Sequence, residues 1–219
     1  MEKLKGIRAV VFDLDGTLIN TEVLYRRFWL EAAHQMGYPM EERHTLMIRS
    51  CSPEVAGAIL RREVQPDFDY FAVRDLRRKL MKAYLDEYGV EPKPGMKEAL
   101  LRLRDRGMRI GLATQSPLER ARQCLTQVGV LDLFDILTTG DQVRHGKPDP
   151  EIYLTAIDQL RMSKEEVLAV EDAPTGVRAA AASGARCALI PDLDQPGPEI
   201  TSLCALVVPD LLTLTEMLD

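Results

Sequence analysis

The stretch that decides the fold reads Val10-Val11-Phe12-Asp13-Leu14-Asp15-Gly16-Thr17-Leu18. It is an apolar run that ends in two carboxylates at positions i and i+2, followed by Gly and Thr. Side chains at i and i+2 of a strand point to the same side, so a strand ending here would aim both acids beyond its C-terminal end. Ligands bind in that place in open α/β sheets. Crowded carboxylates repel each other unless a cation binds them or one takes up a proton. The stretch therefore predicts a functional site at the end of this strand.

Length and composition limit the possible partners. The chain has 219 residues, 46% of them hydrophobic, which is enough for one large domain or for a domain with an insert. The net charge of −6 argues against nucleic acid or an anionic membrane as a partner. No run approaches the roughly 18 apolar residues of a membrane span. The four cysteines are far apart in sequence without C-x-x-C spacing, which favours reduced thiols and a cytoplasmic location.

The hydrophobic period changes along the chain. A strand is predicted over residues 7–13, whereas residues 20–90 show helical periodicity and no convincing strand. From residue 91 onwards, helical and strand patterns alternate, which predicts a parallel sheet covered on both faces. The later strands are predicted over residues 109–113, 136–139, 167–170, 187–190 and 205–208.

This alternation predicts an α/β fold, with a doubly wound, Rossmann-like parallel sheet as its core. The core comprises residues 1–19 and 91–219, and an all-helical cap domain over residues 20–90 is inserted into it. The insert begins seven residues after Asp13. We therefore expect it to fold over the two acids as a lid.

Polar residues follow the predicted strands of the core. They are Thr114-Gln115-Ser116 after strand 109–113, Gly146-Lys147-Pro148 after strand 136–139, and Glu171-Asp172 after strand 167–170. In a parallel sheet all of them project to the same edge as Asp13 and Asp15. Each signal is weak by itself, because polar residues after strands, solvated lysines and helix-capping acids are common. Their order along the chain is the evidence for a site.

This inventory is suited to phosphoryl transfer. Carboxylates from separate elements, with no nearby His or Cys, favour a hard cation such as Mg²⁺. Lys147 adds a point charge, and the Thr114 hydroxyl with loop N–H groups can bind phosphate oxygens. One carboxylate can act as a nucleophile and form an aspartyl phosphate, while the second handles the proton of the leaving oxygen.

The same residues resemble the four motifs of the haloacid dehalogenase superfamily. The matching positions are Asp13-Leu14-Asp15-Gly16-Thr17, Thr114, Lys147 within Gly146-Lys147-Pro148-Asp149-Pro150, and Glu171-Asp172 followed by Gly176. The resemblance covers nearly the whole chain. It is to the phosphatase and β-phosphoglucomutase-like branch, which carries a helical cap between the first two motifs.

The resemblance implies a role for each motif residue. Asp13 would be the nucleophile, Asp15 the general acid and base, and Thr114 and Lys147 the ligands of the transferring phosphoryl group. The implied Mg²⁺ site consists of Asp13, the backbone carbonyl of Asp15, Asp172 and a supporting Glu171. The backbone amides expected to face the phosphate oxygens are those around Leu14, Asp15 and Gln115.

One cap residue is also a candidate for substrate binding. Arg49 lies in the segment Met47-Ile48-Arg49, where it would contact an anionic part of the substrate. The alternative is that Arg49 is an ordinary surface arginine.

The predicted function is a cytoplasmic, Mg²⁺-dependent phosphatase acting on a small phosphorylated metabolite, with a sugar phosphate as one candidate. By resemblance, Asp15 argues against dehalogenation, because a halide leaving group needs no proton. A phosphomutase is the main alternative, although Tyr25 aligns with a histidine of the mutase-like members. A signalling receiver that stores phosphate on aspartate would lack both Asp15 and the cap. The expected partner is a small phosphate ester, and the expected state a monomer or weak homodimer.

Overall fold

The computed structural model describes residues 3–49, 51–193 and 195–219. Within these residues, the strands are Ala9–Phe12 (β1), Arg109–Thr114 (β2), Ile136–Thr139 (β3), Val167–Glu171 (β4), Arg186–Leu189 (β5) and Leu206–Val207 (β6). They form one sheet in the order β3-β2-β1-β4-β5-β6, and all neighbouring strands are parallel. The predicted doubly wound parallel sheet is therefore confirmed.

The helices of the described residues surround this sheet or form the insert. They are Glu22–Gln35 (α1), Glu42–Ile48 (α2), Pro53–Glu63 (α3), Tyr70–Tyr88 (α4), Met96–Asp105 (α5), Leu118–Gln127 (α6), Glu151–Leu160 (α7), Pro174–Ser183 (α8), Pro198–Thr201 (α9) and Leu211–Glu216 (α10). The sequence analysis does not give α2 separate bounds within the helical segment 20–90, and it does not predict α9. Both are shorter than the window of about 11 residues over which helical periodicity can be recognised.

The two faces of the sheet carry separate hydrophobic cores, because alternate residues of each buried strand point to opposite sides. Val10 and Phe12 of β1 pack on one face with residues of α5, α6 and α10. Ala9 and Val11 pack on the other face with residues of α7 and α8. Asp13 continues the second set, so its side chain belongs to the α7 and α8 side.

The chain divides into two compact units, Met1–Asn20 with Val90–Asp219, and Thr21–Gly89. The second unit contains α1 to α4, which pack around residues such as Ala33, Leu60 and Phe68. Ser52 caps α3 as a side-chain acceptor from the Val55 N–H. Among the described residues, no helix has the length and apolar character that crossing a membrane requires.

The sheet-containing unit closes on itself where the helical insert leaves it. The Asn20 N–H donates to the Glu91 carbonyl at 2.8 Å, and the Lys93 N–H donates to the Leu18 carbonyl at 2.9 Å. The departing and returning chain segments are thus paired by backbone hydrogen bonds within this unit.

Candidate active site

The carboxyl end of β1 carries Asp13 at the point where the strand order reverses. The Asp13 N–H donates to the Val170 carbonyl at 2.9 Å, which extends the pairing between β1 and β4. Strands β2 and β3 lie on one side of β1, and β4 to β6 lie on the other. Doubly wound sheets bind ligands at such a switch point.

A buried lysine joins the acids of two neighbouring strands. The Lys147 Nζ lies 2.6 Å from Asp13 Oδ1, 2.6 Å from Glu171 Oε1 and 2.9 Å from the carbonyl of Ala113, to all of which it donates. Its side chain is only 4% exposed. A buried ammonium is stable only when paired, and here all three of its donors have a hydrogen-bond acceptor.

Tyr153 of α7 supports this cluster from the core side. Its hydroxyl donates to Glu171 Oε1 at 2.5 Å, and the Lys147 Nζ lies 5.2 Å from the centre of its ring. The residue is completely buried. Glu171 Oε1 therefore accepts from both an ammonium and a phenol, which fixes the orientation of its carboxylate.

Burial and the neighbouring charges shift the pKa values of Asp13, Lys147 and Tyr153. Burial raises the pKa of Asp13 to about 7, with Lys147 opposing the rise and Glu171 and Asp15 adding to it. The pKa of Lys147 is raised although burial alone would lower it, because Asp13 and Glu171 favour its charged form. The pKa of Tyr153 is raised well above its ordinary value, by burial first and by Glu171 next, so the phenol remains a donor.

Three of the predicted metal ligands come together. Oxygen atoms of Asp13, Glu171 and Asp172 lie within 4.8 Å of one another, and all three residues are buried. The Thr17 hydroxyl contacts Asp172 Oδ1 at 3.4 Å. A buried set of carboxylate oxygens fits a divalent cation that prefers oxygen ligands, since such an ion offsets their mutual repulsion.

Asp15 faces a different cation from the one that pairs with Asp13. Arg120 of α6 donates to Asp15 Oδ1 from Nη2 at 2.8 Å and to Oδ2 from Nη1 at 3.2 Å. The Ser116 hydroxyl donates to the same Oδ2 at 2.9 Å, and Arg120 also contacts the Ser116 oxygen. Strand β1 ends at Phe12, so the alternation expected to align the two acids does not extend to Asp15. Each acid instead has its own cation.

Of the predicted phosphate ligands, Thr114 is the last residue of β2, and Gln115 begins the loop that leads to α6. Thr114 is buried, and its hydroxyl accepts from the Ser116 N–H at 3.1 Å. Gln115 is exposed, and its Oε1 lies so close to Gly146 that a Cβ added there would approach it to 2.7 Å. The loop after β2 and the loop carrying Lys147 are therefore in direct contact.

Arg49 belongs to the helical unit. It follows α2, and its Nε donates to Glu22 Oε2 of α1 at 3.1 Å. Its side chain is 10% exposed, so it is not an ordinary surface arginine.

The sequence analysis does not identify Arg120 or Tyr153 as part of the site. Tyr153 lies among the apolar residues of the buried face of α7, and a buried phenol usually has a hydrogen-bond partner. The presence of a buried tyrosine indicates that its hydroxyl has a hydrogen-bond partner, but it does not indicate which residue that partner is. Arg120 lies in the first turn of α6, and nothing in the local pattern distinguishes it from the neighbouring exposed Arg122.

The sheet order, the lysine between two strand-end acids and the buried carboxylate set define a candidate active site on a doubly wound α/β sheet. A family model for haloacid dehalogenase-like hydrolases matches residues 10–190. The chain belongs to this family. The family resemblance and the hydrolase class predicted from the sequence are thus confirmed.

Individual relatives agree with this assignment over most of their length. The chain is 32% identical over 185 residues to the phosphorylated carbohydrates phosphatase of Thermotoga maritima, covering 81% of this chain and 82% of the relative. The structure of CbbY from Rhodobacter sphaeroides in complex with phosphate is similar with a TM-score of 0.74 and 26% identity, over 95% and 96% of the two chains. The β-phosphoglucomutase of Clostridium difficile shares the fold with a TM-score of 0.74 at 23% identity, over 95% and 93% of the two chains.

Proposed function

We propose that the protein is a Mg²⁺-dependent phosphatase that hydrolyses a small phosphorylated metabolite through a phosphorylated Asp13. The observation that carries the proposal is the buried carboxylate of Asp13, held 2.6 Å from the Lys147 Nζ beside Glu171 and Asp172. It combines a nucleophile with a cation for the phosphate oxygens and a set of metal ligands. Sequence similarity to a phosphatase of phosphorylated carbohydrates favours a sugar phosphate as the substrate.

In the first step, a carboxylate oxygen of Asp13 attacks phosphorus and the bond from phosphorus to the alcohol oxygen breaks. Lys147 and the Thr114 hydroxyl, with the backbone amides near Leu14 and Gln115, hold the phosphoryl oxygens in line for this attack. Asp15 gives its proton to the departing alcohol oxygen.

In the second step, Asp15 takes a proton from a water molecule whose oxygen attacks phosphorus. The bond from phosphorus to Asp13 breaks, so inorganic phosphate leaves and the Asp13 carboxylate is restored. Asp15 regains the proton that it gave up, and the cycle is balanced.

We assign the Mg²⁺ ligands to Asp13, Asp172 and the backbone carbonyl of Asp15, with Glu171 in support. When bound, the ion neutralises charge on the phosphoryl oxygens and on the acids around them. The Glu171 carboxylate is held in place by hydrogen bonds from Lys147 and Tyr153. We therefore assign to Glu171 the role of keeping the Lys147 ammonium next to the phosphoryl group.

We assign the cap to the helical unit Thr21–Gly89 and the catalytic core to the remaining residues. The support is that this unit is helical throughout its described secondary structure and is inserted after the first motif. Arg49 would contact an anionic part of the substrate by exchanging its partner Glu22 for it.

The test is a phosphate-release screen with MgCl₂ over sugar phosphates, nucleotides and phosphoglycolate. Asp13→Asn is the blank, and Asp132→Asn, an exposed position, is the matched control. We expect release by the wild type and by Asp132→Asn, and none by Asp13→Asn. Borohydride reduction after an acid quench should convert Asp13 to homoserine, as read by peptide mass spectrometry. Mg²⁺-dependent release by Asp13→Asn would contradict the proposal.

A phosphomutase would use the same residues and differ only in the acceptor of the phosphoryl group. The β-phosphoglucomutase of Clostridium difficile has the same fold, so this fold is compatible with both reactions. Incubation with a hexose 1-phosphate and its bisphosphate separates the two: an isomerised sugar supports the mutase, and inorganic phosphate supports the phosphatase.

A further inference from the structure

We propose that Cys187 and Cys204 form an oxidation site, at which a hydroperoxide converts the two thiols into an intramolecular disulfide that fastens β6 to β5. Both cysteines are free thiols in the structure. Neither residue has a role in the proposed reaction, so this inference goes beyond the proposed function and does not depend on it. The co-reactant is a small peroxide such as hydrogen peroxide, which takes up the electrons that the thiols lose.

The first argument is the position of the two cysteines in the sheet. β5 pairs with β6 in parallel, and the Ala205 N–H donates to the Cys187 carbonyl at 2.8 Å. Cys204 therefore immediately precedes the residue that lies beside Cys187. Because neighbouring strands are about 4.8 Å apart and each residue advances about 3.3 Å, this register gives a Cα separation of roughly 6 Å. Disulfides usually join Cα atoms that are about 4.4–6.8 Å apart.

The second argument is that the two side chains meet on one face of the sheet. Cys187 belongs to the core on the α7 and α8 side, and Cys204 packs against that same core. A hydrogen bond from the Cys187 thiol lowers the pKa of Cys204, while the partial burial of Cys204 opposes this shift. The same hydrogen bond, together with burial, raises the pKa of Cys187. A bond between the two sulfur atoms therefore requires no change in the pairing of the strands.

The third argument is the unequal exposure of the pair. Cys187 is only 1% exposed, whereas Cys204 is partly exposed, so a small peroxide reaches Cys204 first. Cys204 is also the thiol whose pKa is lowered, and the thiolate is the form that attacks peroxides. Cys187 is sheltered from the peroxide but lies next to the oxidised sulfur. The pair thus consists of an attacking and a resolving thiol.

The proposed reaction balances in two steps. In the first step, the Cys204 thiolate attacks one oxygen of hydrogen peroxide, the O–O bond breaks, and the departing hydroxide takes a proton to become water. Cys204 then carries a sulfenic acid. In the second step, the Cys187 sulfur attacks the Cys204 sulfur, the S–O bond breaks, and the hydroxyl group leaves as water with the proton of the Cys187 thiol. Two thiols and one peroxide thus give one disulfide and two water molecules.

The disulfide would fasten a short outer strand. β6 is two residues long and lies at the end of the sheet, with β5 as its neighbour. It is flanked by the hydrogen bond from Ala205 to Cys187 and by one from the Val208 N–H to the Leu189 carbonyl at 3.0 Å. Segments with few backbone hydrogen bonds open locally more often than central strands. A covalent bond beside Ala205 therefore restricts the opening of β6.

Peptide mapping tests the bridge directly. The protein is treated with hydrogen peroxide, alkylated with iodoacetamide and digested with trypsin. No Lys or Arg follows Arg186 in the sequence, so both cysteines lie on one peptide, residues 187–219. We expect this peptide to lose two hydrogens and to escape alkylation. Further cleavage after Glu199 should give two fragments that separate only when a thiol reductant is added.

Variants distinguish the bridge from unspecific oxidation. In Cys187→Ala the sulfenic acid of Cys204 has no resolving thiol, so dimedone should label Cys204, and this label should be lost in the wild type. Cys51→Ser removes a partly buried cysteine of the helical unit and should leave the bridge unchanged. The proposal is wrong if both thiols of the wild type remain alkylatable. It is also wrong if Cys204 accumulates as a sulfinic or sulfonic acid without a bridge.

Hydrogen exchange tests the structural consequence in the wild type alone. The amides of Ala205 and Val208 should exchange about tenfold more slowly in the peroxide-treated protein than in the reduced protein. The amides of the central strand β1 serve as the internal control and should exchange equally in both forms. A thiol reductant should restore the original rates. Equal exchange of Ala205 and Val208 in the two forms would overturn the inference that the bridge fastens β6.

Discussion

Replacement of Gly176 by alanine should displace the carboxylate of Glu171, against which the Gly176 backbone packs. Gly176 lies in the first turn of α8, where its backbone packs directly on the Glu171 carboxyl group. An added Cβ would lie 2.0 Å from Glu171 Cδ and Oε2 and 2.1 Å from Oε1, whereas ordinary contacts begin near 3.4 Å. The carboxylate or the helix must therefore move by about 1.4 Å.

The magnitude follows from the bonds that such a movement breaks. Glu171 Oε1 accepts from Lys147 Nζ at 2.6 Å and from the Tyr153 hydroxyl at 2.5 Å, and Glu171 is buried. Each buried bond to a charged partner contributes about 1.5–3 kcal/mol. An unstrained Gly→Ala change in a helix stabilises by about 1 kcal/mol, so the loss of both bonds gives an expected net loss of about 2–5 kcal/mol.

Urea unfolding of the metal-free protein measures this loss, and calorimetric Mg²⁺ titration measures the accompanying weakening of metal binding. Ala182→Gly, at an exposed position of the same helix, gives the helix-propensity contribution by itself. The reasoning is refuted if Gly176→Ala unfolds at the same or a higher urea concentration than the wild type and binds Mg²⁺ equally well.

Three further predictions concern Tyr153, Asp13 and Asp15. Tyr153→Phe removes one donor to Glu171 and should lower the free energy of unfolding by about 1–2 kcal/mol in urea, and an unchanged midpoint would contradict the contact. Because the pKa of Asp13 is about 7 without metal, Mg²⁺ must displace its proton at lower pH, so calorimetric affinity should rise about tenfold per pH unit towards pH 7 and then level off. A flat profile between pH 5 and 7 would contradict this protonation. Asp15→Asn should reduce kcat by about 10²–10⁴-fold for alkyl phosphates and far less for p-nitrophenyl phosphate, whose leaving group needs no proton; equal losses would contradict its acid role.

The sheet was predictable from the sequence because short, largely apolar strands alternate with helical patterns after residue 91. The Val10-Val11-Phe12 run is buried on both faces of the sheet. A continuous apolar run in the sequence indicates a strand of this kind. The positions of Lys147 and Glu171 beside Asp13 followed from the parallel topology, although Asp13 and Lys147 are 134 residues apart.

The environment of Asp15 was not predictable in the same way. Its partner Arg120 is 105 residues away, and the contact depends on the rotation of α6 and on where β1 ends. Sequence periodicity identifies the buried face of a helix, but it does not tell which exposed or half-buried arginine reaches a given carboxylate. The hydroxyl of Tyr153 is a similar case. The sequence indicates that a buried hydroxyl needs a hydrogen-bond partner, but it does not identify Glu171 as that partner.

The paired backbone at the two ends of the insert has a thermodynamic consequence. Hydrogen bonds from Asn20 to Glu91 and from Lys93 to Leu18 hold the departing and returning chain segments together within the sheet-containing unit. For that unit the insert is equivalent to a long loop with fixed ends, and the entropy of closing a loop grows only slowly with its length. We therefore expect a change in the length of the insert to cost the sheet-containing unit little stability.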